Sequence, residues 1–239
     1  MMKIGLKYRK CYLVLVVVAM ALLGTPAAFA FSNPNPGVFP PGSHPYGRTY
    51  EQWSNAWWQW ALSIPTNVNP LLDTTGANCQ QGQSGKVWFL AGTLGGSPVV
   101  RKCTIPAGKA IFFPVLNTID FNTGNLCGPD TPVPQLRKVV RDFIKSATIV
   151  EAQVDETGIM QPWRYVAGAN GPLFNVTVPQ DNLFSSCLPA GTYGPGVSGG
   201  YYLMLAPLSA GPHTIHFKGG NNGFTEDVTY NLTVQLCKK

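Results

Sequence analysis

Residues 227–236, DVTYNLTVQL, alternate without a break. Val228, Tyr230, Leu232, Val234 and Leu236 fall on one side, and Asp227, Thr229, Asn231, Thr233 and Gln235 on the other. A period of two puts successive side chains on opposite faces of a strand, so one face is buried and the other wet. HTIHFK, residues 213–218, alternates likewise after the turn at 209–212. KVWFLAGT (86–93), KAIFFPVLN (109–117) and YYLMLAPL (201–208) are apolar on both pleat faces. A strand buried on both sides reads this way and needs a cover on each. ATIVEAQV (147–154) and the turn at 155–158 predict a hairpin whose return strand runs through Met160 and Trp163, and LFNVTV (173–178) is a further short strand.

Two helices supply the missing cover. YEQWSNAWWQWALSI holds four tryptophans, at 53, 57, 58 and 60. Thr49 stands at a capping position with Gln52 three residues on, and Pro65 stops the helix. At about 100° per residue, Trp53, Trp57, Trp60 and Ile64 share one stripe, which predicts a face docked on a sheet. Trp58 points away from that stripe, either over the proline-rich arm or toward a ligand. TPVPQLRKVVRDFIKS (131–146) predicts a second helix, with Leu136, Val139, Val140, Phe143 and Ile144 as its apolar face. Short strands with Gly/Pro turns and two packed helices predict an all-β fold: an antiparallel β-sandwich, jelly-roll or immunoglobulin-like. It is expected as a single domain over 48–239, with helices near 49–63 and 133–146, after an extended proline-rich arm at 31–47 lying on the surface or loose.

Residues 1–30 read as a secretory signal peptide. Lys3, Lys7, Arg9 and Lys10 precede an apolar run at 11–23, and Ala28-Phe29-Ala30 is a small-x-small cleavage site. The run is short for a membrane span, and no later segment is long enough for one. Cleavage removes four of the 17 Lys and Arg and none of the 11 Asp and Glu, leaving 13 cations against 11 acids. The remaining charge is close to neutral and no Lys/Arg run survives, which excludes nucleic acid as a partner. A secreted or periplasmic location makes Cys79, Cys103, Cys127 and Cys187 disulfide formers. Nearness in the chain pairs Cys79 with Cys103 and Cys127 with Cys187, leaving Cys237 over.

No residue set asks for a metal or a cofactor. The three histidines are His44 in the arm and His213 and His216, which point to opposite faces of one strand. Gly196-Val197-Ser198-Gly199-Gly200 matches G-x-S-x-G, but lacks the strand before and helix after that a nucleophile elbow requires, and is expected to be a flexible loop. Asp155 with Glu156, and Glu226 with Asp227, are adjacent acids at a turn and a strand start, expected to be solvated.

The polar residues that cluster best are Asp73, Gln81 and Gln83 in the first loop, Arg101 and Lys109 on the next hairpin, and Asn117 and Asp120 after it; the competing reading is that Asp73 and the glutamines satisfy backbone groups of a buried loop. A Cys79–Cys103 bridge draws these segments together. With Trp58 and Trp88 at the rim, they outline a binding site for a glycan or small polar ligand. The leading expectation is a non-catalytic binding or envelope-associated protein. The alternative is a hydrolase using Asp73 or Asp120 with His213.

WSNAWWQWALSIPTNVNPLLDTTGANCQQGQSGKVWFLAGT, RKCTIPAGKAIFFPVLN and GYYLMLAPLSAGPHTIHFKG resemble a group of exported bacterial proteins of unknown function. The resemblance covers most of residues 46–236. It implies a bacterial exported protein and brings no reaction or catalytic residue with it.

Overall fold

Thr49 caps the first helix as its spacing predicts. In the computed structural model, which describes Asn35 and residues 37–236, the Thr49 hydroxyl accepts from the Gln52 amide at 3.2 Å. The Gln52 side chain accepts from the Thr49 amide at 2.9 Å in return. Two of the orphan N–H groups of the first turn are thereby satisfied, a contribution of about 1 kcal/mol. The helix, α1, runs Tyr50–Leu62. The expected signal peptide and Cys237 lie outside the described residues.

The strands in chain order are β1 (Val87–Phe89), β2 (Val99–Pro106) and β3 (Ala110–Phe121). The second helix, α2 (Val133–Lys145), comes next, followed by β4 (Ile149–Val154), β5 (Thr157–Gly158), β6 (Val166–Ala167) and β7 (Phe174–Val178). Last come β8 (Gly191–Leu205), β9 (Gly211–Asn221) and β10 (Phe224–Gln235). One sheet has the order β1-β3-β8-β6, with β7 also pairing β8, and the other has the order β2-β10-β9-β4-β5.

The expected purely antiparallel sandwich is corrected here, because both sheets are mixed. β1 pairs β3 in parallel and β2 pairs β10 in parallel. The cause is a crossover. β2 lies between β1 and β3 in the chain but belongs to the other sheet, so the chain leaves and returns running the same way. The predicted hairpin forms at β4–β5, with Asp155 and Glu156 both at positive φ in its two-residue turn. Its return strand is only two residues long, and Met160 and Trp163 are exposed beyond it.

The doubly apolar β3 is covered on both sides. Phe112 stacks on Tyr202 of β8 with ring centroids 5.0 Å apart and meets Tyr50 and Trp53 of α1 edge-on or tilted. Its neighbour Phe113 points the other way, onto Phe217 of β9 at 5.1 Å. The first sheet is thus held between α1 and the second sheet. Gly219 on β9 makes the inter-sheet approach possible, since a Cβ there would lie 1.8 Å from the Val115 carbonyl oxygen. α2 buries Leu136 and Val140 and half-buries Phe143 and Ile144, while Val139 stays exposed.

The three striped tryptophans are buried, Trp57 completely. Each indole also ties down a different segment by donating to a carbonyl: Trp53 to Pro45, Trp57 to Leu90 and Trp60 to Gln81, at 2.8–2.9 Å. The described part of the arm is fastened rather than loose. Val38 bridges Leu205, the Phe39 amide donates to Met204, and the Tyr50 hydroxyl donates to the Phe39 carbonyl. Both disulfides pair as nearness in the chain suggested, Cys79–Cys103 and Cys127–Cys187. They close loops of 24 and 60 residues, each contributing about 3–4 kcal/mol by loop-closure entropy. Two such bridges fit an oxidising compartment. Among the described residues, no helix is long and apolar enough to cross a membrane.

Candidate functional site

β2 turns Arg101, Cys103 and Ile105 inward, so its one arginine is 1% exposed. Arg101 Nε donates to the Asp73 carbonyl at 2.7 Å. Its Nη1 donates to the carbonyls of Ala91 and Gly92 and to the Tyr230 hydroxyl, at 2.7–3.0 Å. Asp73 uses its carboxylate locally, accepting from the Thr75 amide and hydroxyl and the Asn78 amide, each at 2.8 Å. Partial burial alone would raise its pKa; the donated hydrogen bonds from Asn78 and Thr75 outweigh it and hold the carboxyl below its ordinary value. Gln83 bridges backbone, donating to the Cys79 and Phe89 carbonyls and accepting from the Phe89 amide. Lys109 donates to the Gly85 carbonyl. The four residues therefore gather around the Cys79–Cys103 loop, but as its internal struts.

Glu226 belongs to the same cluster. It is 2% exposed, and its carboxyl accepts from the Thr93 amide at 2.9 Å. Burial pushes its pKa up to about 8, against smaller lowering effects of the Thr93 amide and Arg101. Gly92 makes room for it, since a Cβ there would lie 2.1 Å from Glu226 Oε2. The expectation of a solvated acid is overturned by register: Glu226 stands two residues before Val228, on the inward face of β10.

Trp58 and Asp120 lie apart from this cluster. Trp58 is buried edge-on against Trp57 with ring centroids 5.0 Å apart, and it is Tyr50 and Trp53 that hold the arm. Nearby is an uncharged buried network. The Ser54 hydroxyl donates to Tyr202 OH at 2.9 Å and lies 2.7 Å from the Ser198 hydroxyl, which donates to Asn55 Oδ1 at 2.7 Å. Ser198 is thus a structural link between β8 and α1, and the G-x-S-x-G match lies inside β8 rather than in a flexible loop. Gly199 lets α2 approach, since a Cβ there would lie 2.9 Å from Ile144 Cδ1. Asp120 is ten positions along β3 from Ala110, roughly 30 Å away. It lines a cleft with Cys127, Pro129 and Phe184, at the other disulfide. Partial burial raises its pKa, more than the Phe121 amide lowers it.

The carboxylate that His213 meets is Asp155, rather than Asp73 or Asp120. His213 Nδ1 is 2.7 Å from Asp155 Oδ2, and the other Asp155 oxygen accepts from the Thr214 amide at 2.9 Å. His213 Nε2 is 3.0 Å from the Ser209 carbonyl and 3.2 Å from its hydroxyl. Both ring nitrogens are thus engaged within the protein, Nδ1 by Asp155 and Nε2 by Ser209. Asp155 is held below its ordinary pKa; burial opposes this, but the bonds from His213 and Thr214 prevail.

A cleft of about 680 Å³ lies beside the Cys79–Cys103 bridge. Residues of both sheets line it: Trp88 of β1, Thr104 and Pro106 of β2, and Gln235 of β10, with Gln80 and Leu236. Leu236, expected inward by alternation, is exposed just past the end of β10. Trp88 is buried at the cleft wall, and its Nε1 has no acceptor among the described residues. Gln80, Thr104 and Gln235 were absent from the sequence-derived set. Gln235 and Thr104 were findable as outward positions of their strands, and Gln80 as the neighbour of Cys79. No family model, curated protein or solved structure matches the chain.

Proposed function

We propose that the chain is an exported, non-catalytic binding protein, secreted or periplasmic, that recognises a neutral hydroxylated ligand such as a glycan in the cleft beside Cys79–Cys103. The observation that carries this reading is a division of labour. Asp73, Gln83, Arg101 and Lys109 spend hydrogen bonds on the protein's own backbone. The cleft instead presents two side-chain amides and a hydroxyl beside an indole and a proline. Uncharged donors and acceptors beside flat apolar surface suit a sugar, whose hydroxyls need partners and whose C–H faces need apolar cover. His213 meets Asp155 and neither Asp73 nor Asp120, which counts against a hydrolase built on either of those acids.

The test is calorimetric titration with a panel of neutral oligosaccharides. The double variant Gln80→Ala/Gln235→Ala removes two exposed amides that carry no fold contacts among the described hydrogen bonds. Each lost bond is worth about 1 kcal/mol, so affinity for the best saccharide is expected to fall about tenfold or more with the melting temperature unchanged. Equal affinity in variant and wild type would remove the cleft from the proposal.

A further inference from the structure

A second concavity, of about 420 Å³, opens between residues 71–74 and residues 93–101 of the loop closed by Cys79–Cys103. Its size falls within the roughly 300–1,000 Å³ usual for small-molecule sites. Leu72, Leu94 and Val100 line it while 47%, 56% and 60% exposed, and Pro98 and Val99 complete an apolar wall. Large apolar side chains gathered in one solvated groove suggest an apolar occupant.

Arg101 also lines this groove. It is buried, and a guanidinium does not give up its proton in a protein. A buried cation is costly without a counter-charge. Yet among the described residues Arg101 forms no ion pair, not even with Glu226 of its own cluster. Its Nε and Nη1 are committed to Asp73, Ala91, Gly92 and Tyr230, while Nη2 makes no hydrogen bond among the described residues. Nη2 is therefore the guanidinium nitrogen without a committed partner among the described residues, on a side chain that lines the groove.

We infer that this groove is a second binding site, for a small amphiphile with an apolar tail and a single carboxylate head. The tail lies along Leu72, Leu94 and Val100, and the head accepts from Arg101 Nη2. One negative charge balances the one unpaired cation, and the apolar walls exclude water from the pair. The groove is separate from the saccharide cleft and does not depend on it.

The probes are decanoate, decanol and acetate, titrated calorimetrically into the full chain below any micellar concentration. Decanol keeps the tail without the charge, and acetate keeps the charge without the tail. The charge-assisted hydrogen bond and the buried tail are each expected to strengthen binding, so decanoate should bind about tenfold or more tightly than either. Removing Arg101 endangers the fold, so the groove is tested through its exposed wall. Leu94→Ser/Val100→Ser is expected to weaken decanoate by a similar factor and leave saccharide binding unchanged. Equal binding of decanoate and decanol would overturn the head-group assignment, and a peptide with an apolar C-terminal residue binding better than decanoate would overturn the small amphiphile as the occupant. No decanoate binding, or binding indifferent to the double variant, would overturn the site.

Discussion

Trp57→Ala is expected to cost the fold roughly 3–5 kcal/mol, the range for emptying a large aromatic site in a packed core. Trp57 is fully buried. Its ring meets Trp58, Trp60 and Tyr202 edge-on with centroids 5.0–6.5 Å apart. Its N–H satisfies the Leu90 carbonyl at 2.9 Å, which the variant leaves buried without that donor. Neighbouring rings are too rigid to collapse into the space, so the transfer and cavity costs add. In a chain of this size the melting temperature should fall by about 10 °C. Chemical denaturation followed by circular dichroism gives the comparison. Gln59→Ala, on the exposed side of the same helix, should cost about 1 kcal/mol or less. If the two variants were equally stable, α1 would not be a plug.

Glu226 should make the protein less stable as the solution becomes alkaline. Its folded carboxyl is pushed up to about 8 by burial, from an ordinary value of 4.5. Between those two values the native state holds a proton that the unfolded chain has released. The unfolded state then binds fewer protons, so unfolding free energy falls as pH rises and levels off above about 8. The contribution is complete below the unfolded value and lost progressively above it. Its size is on the order of a few kcal/mol. Glu226→Gln keeps an acceptor for the Thr93 amide and cannot ionise. The variant should be more stable than wild type at pH about 9, with a flatter profile between about 6 and 9. Parallel profiles would show that Glu226 ionises in the folded protein as easily as in the unfolded chain.

What was legible in the sequence was what local periodicity determines. The Thr49–Gln52 cap, the stripe of Trp53, Trp57 and Trp60, and the alternation of β10 each rest on residues a few positions apart. Strand direction was not legible. Alternation looks the same in either direction, and only the excursion of β2 into the other sheet makes β1 and β3 parallel. Glu226 was legible and misread: the period that buries Val228 and Tyr230 buries it too, but an acid beside Asp227 suggested a solvated pair. Trp58 lay off the helix stripe and yet is buried, because residues following β6 also pack on α1, where Asn55 donates to the Pro172 carbonyl.

The candidate site divided along the same line. Asp73, Gln83, Arg101 and Lys109 do come together around the first disulfide, as one crosslink requires. Their roles depend on which backbone carbonyls and amides surround them, and no spacing in the sequence encodes that. Asp120 was near these residues in the chain and far in space, because an extended strand carries it away. The cleft joins Gln80, Trp88, Thr104 and Gln235, and the last of these comes from the far end of the chain, brought in by the parallel pairing of β10 with β2.

The central claim is that recognition belongs to the neutral cleft and that the stripe of tryptophans is interior. The most direct measurement follows the indole N–H signals of the six tryptophans by nuclear magnetic resonance during titration with a neutral oligosaccharide. The Trp88 signal should move with added sugar, while those of Trp57 and Trp60, bonded to Leu90 and Gln81, stay in place. Movement of Trp57 and Trp60 with Trp88 unchanged would contradict the account.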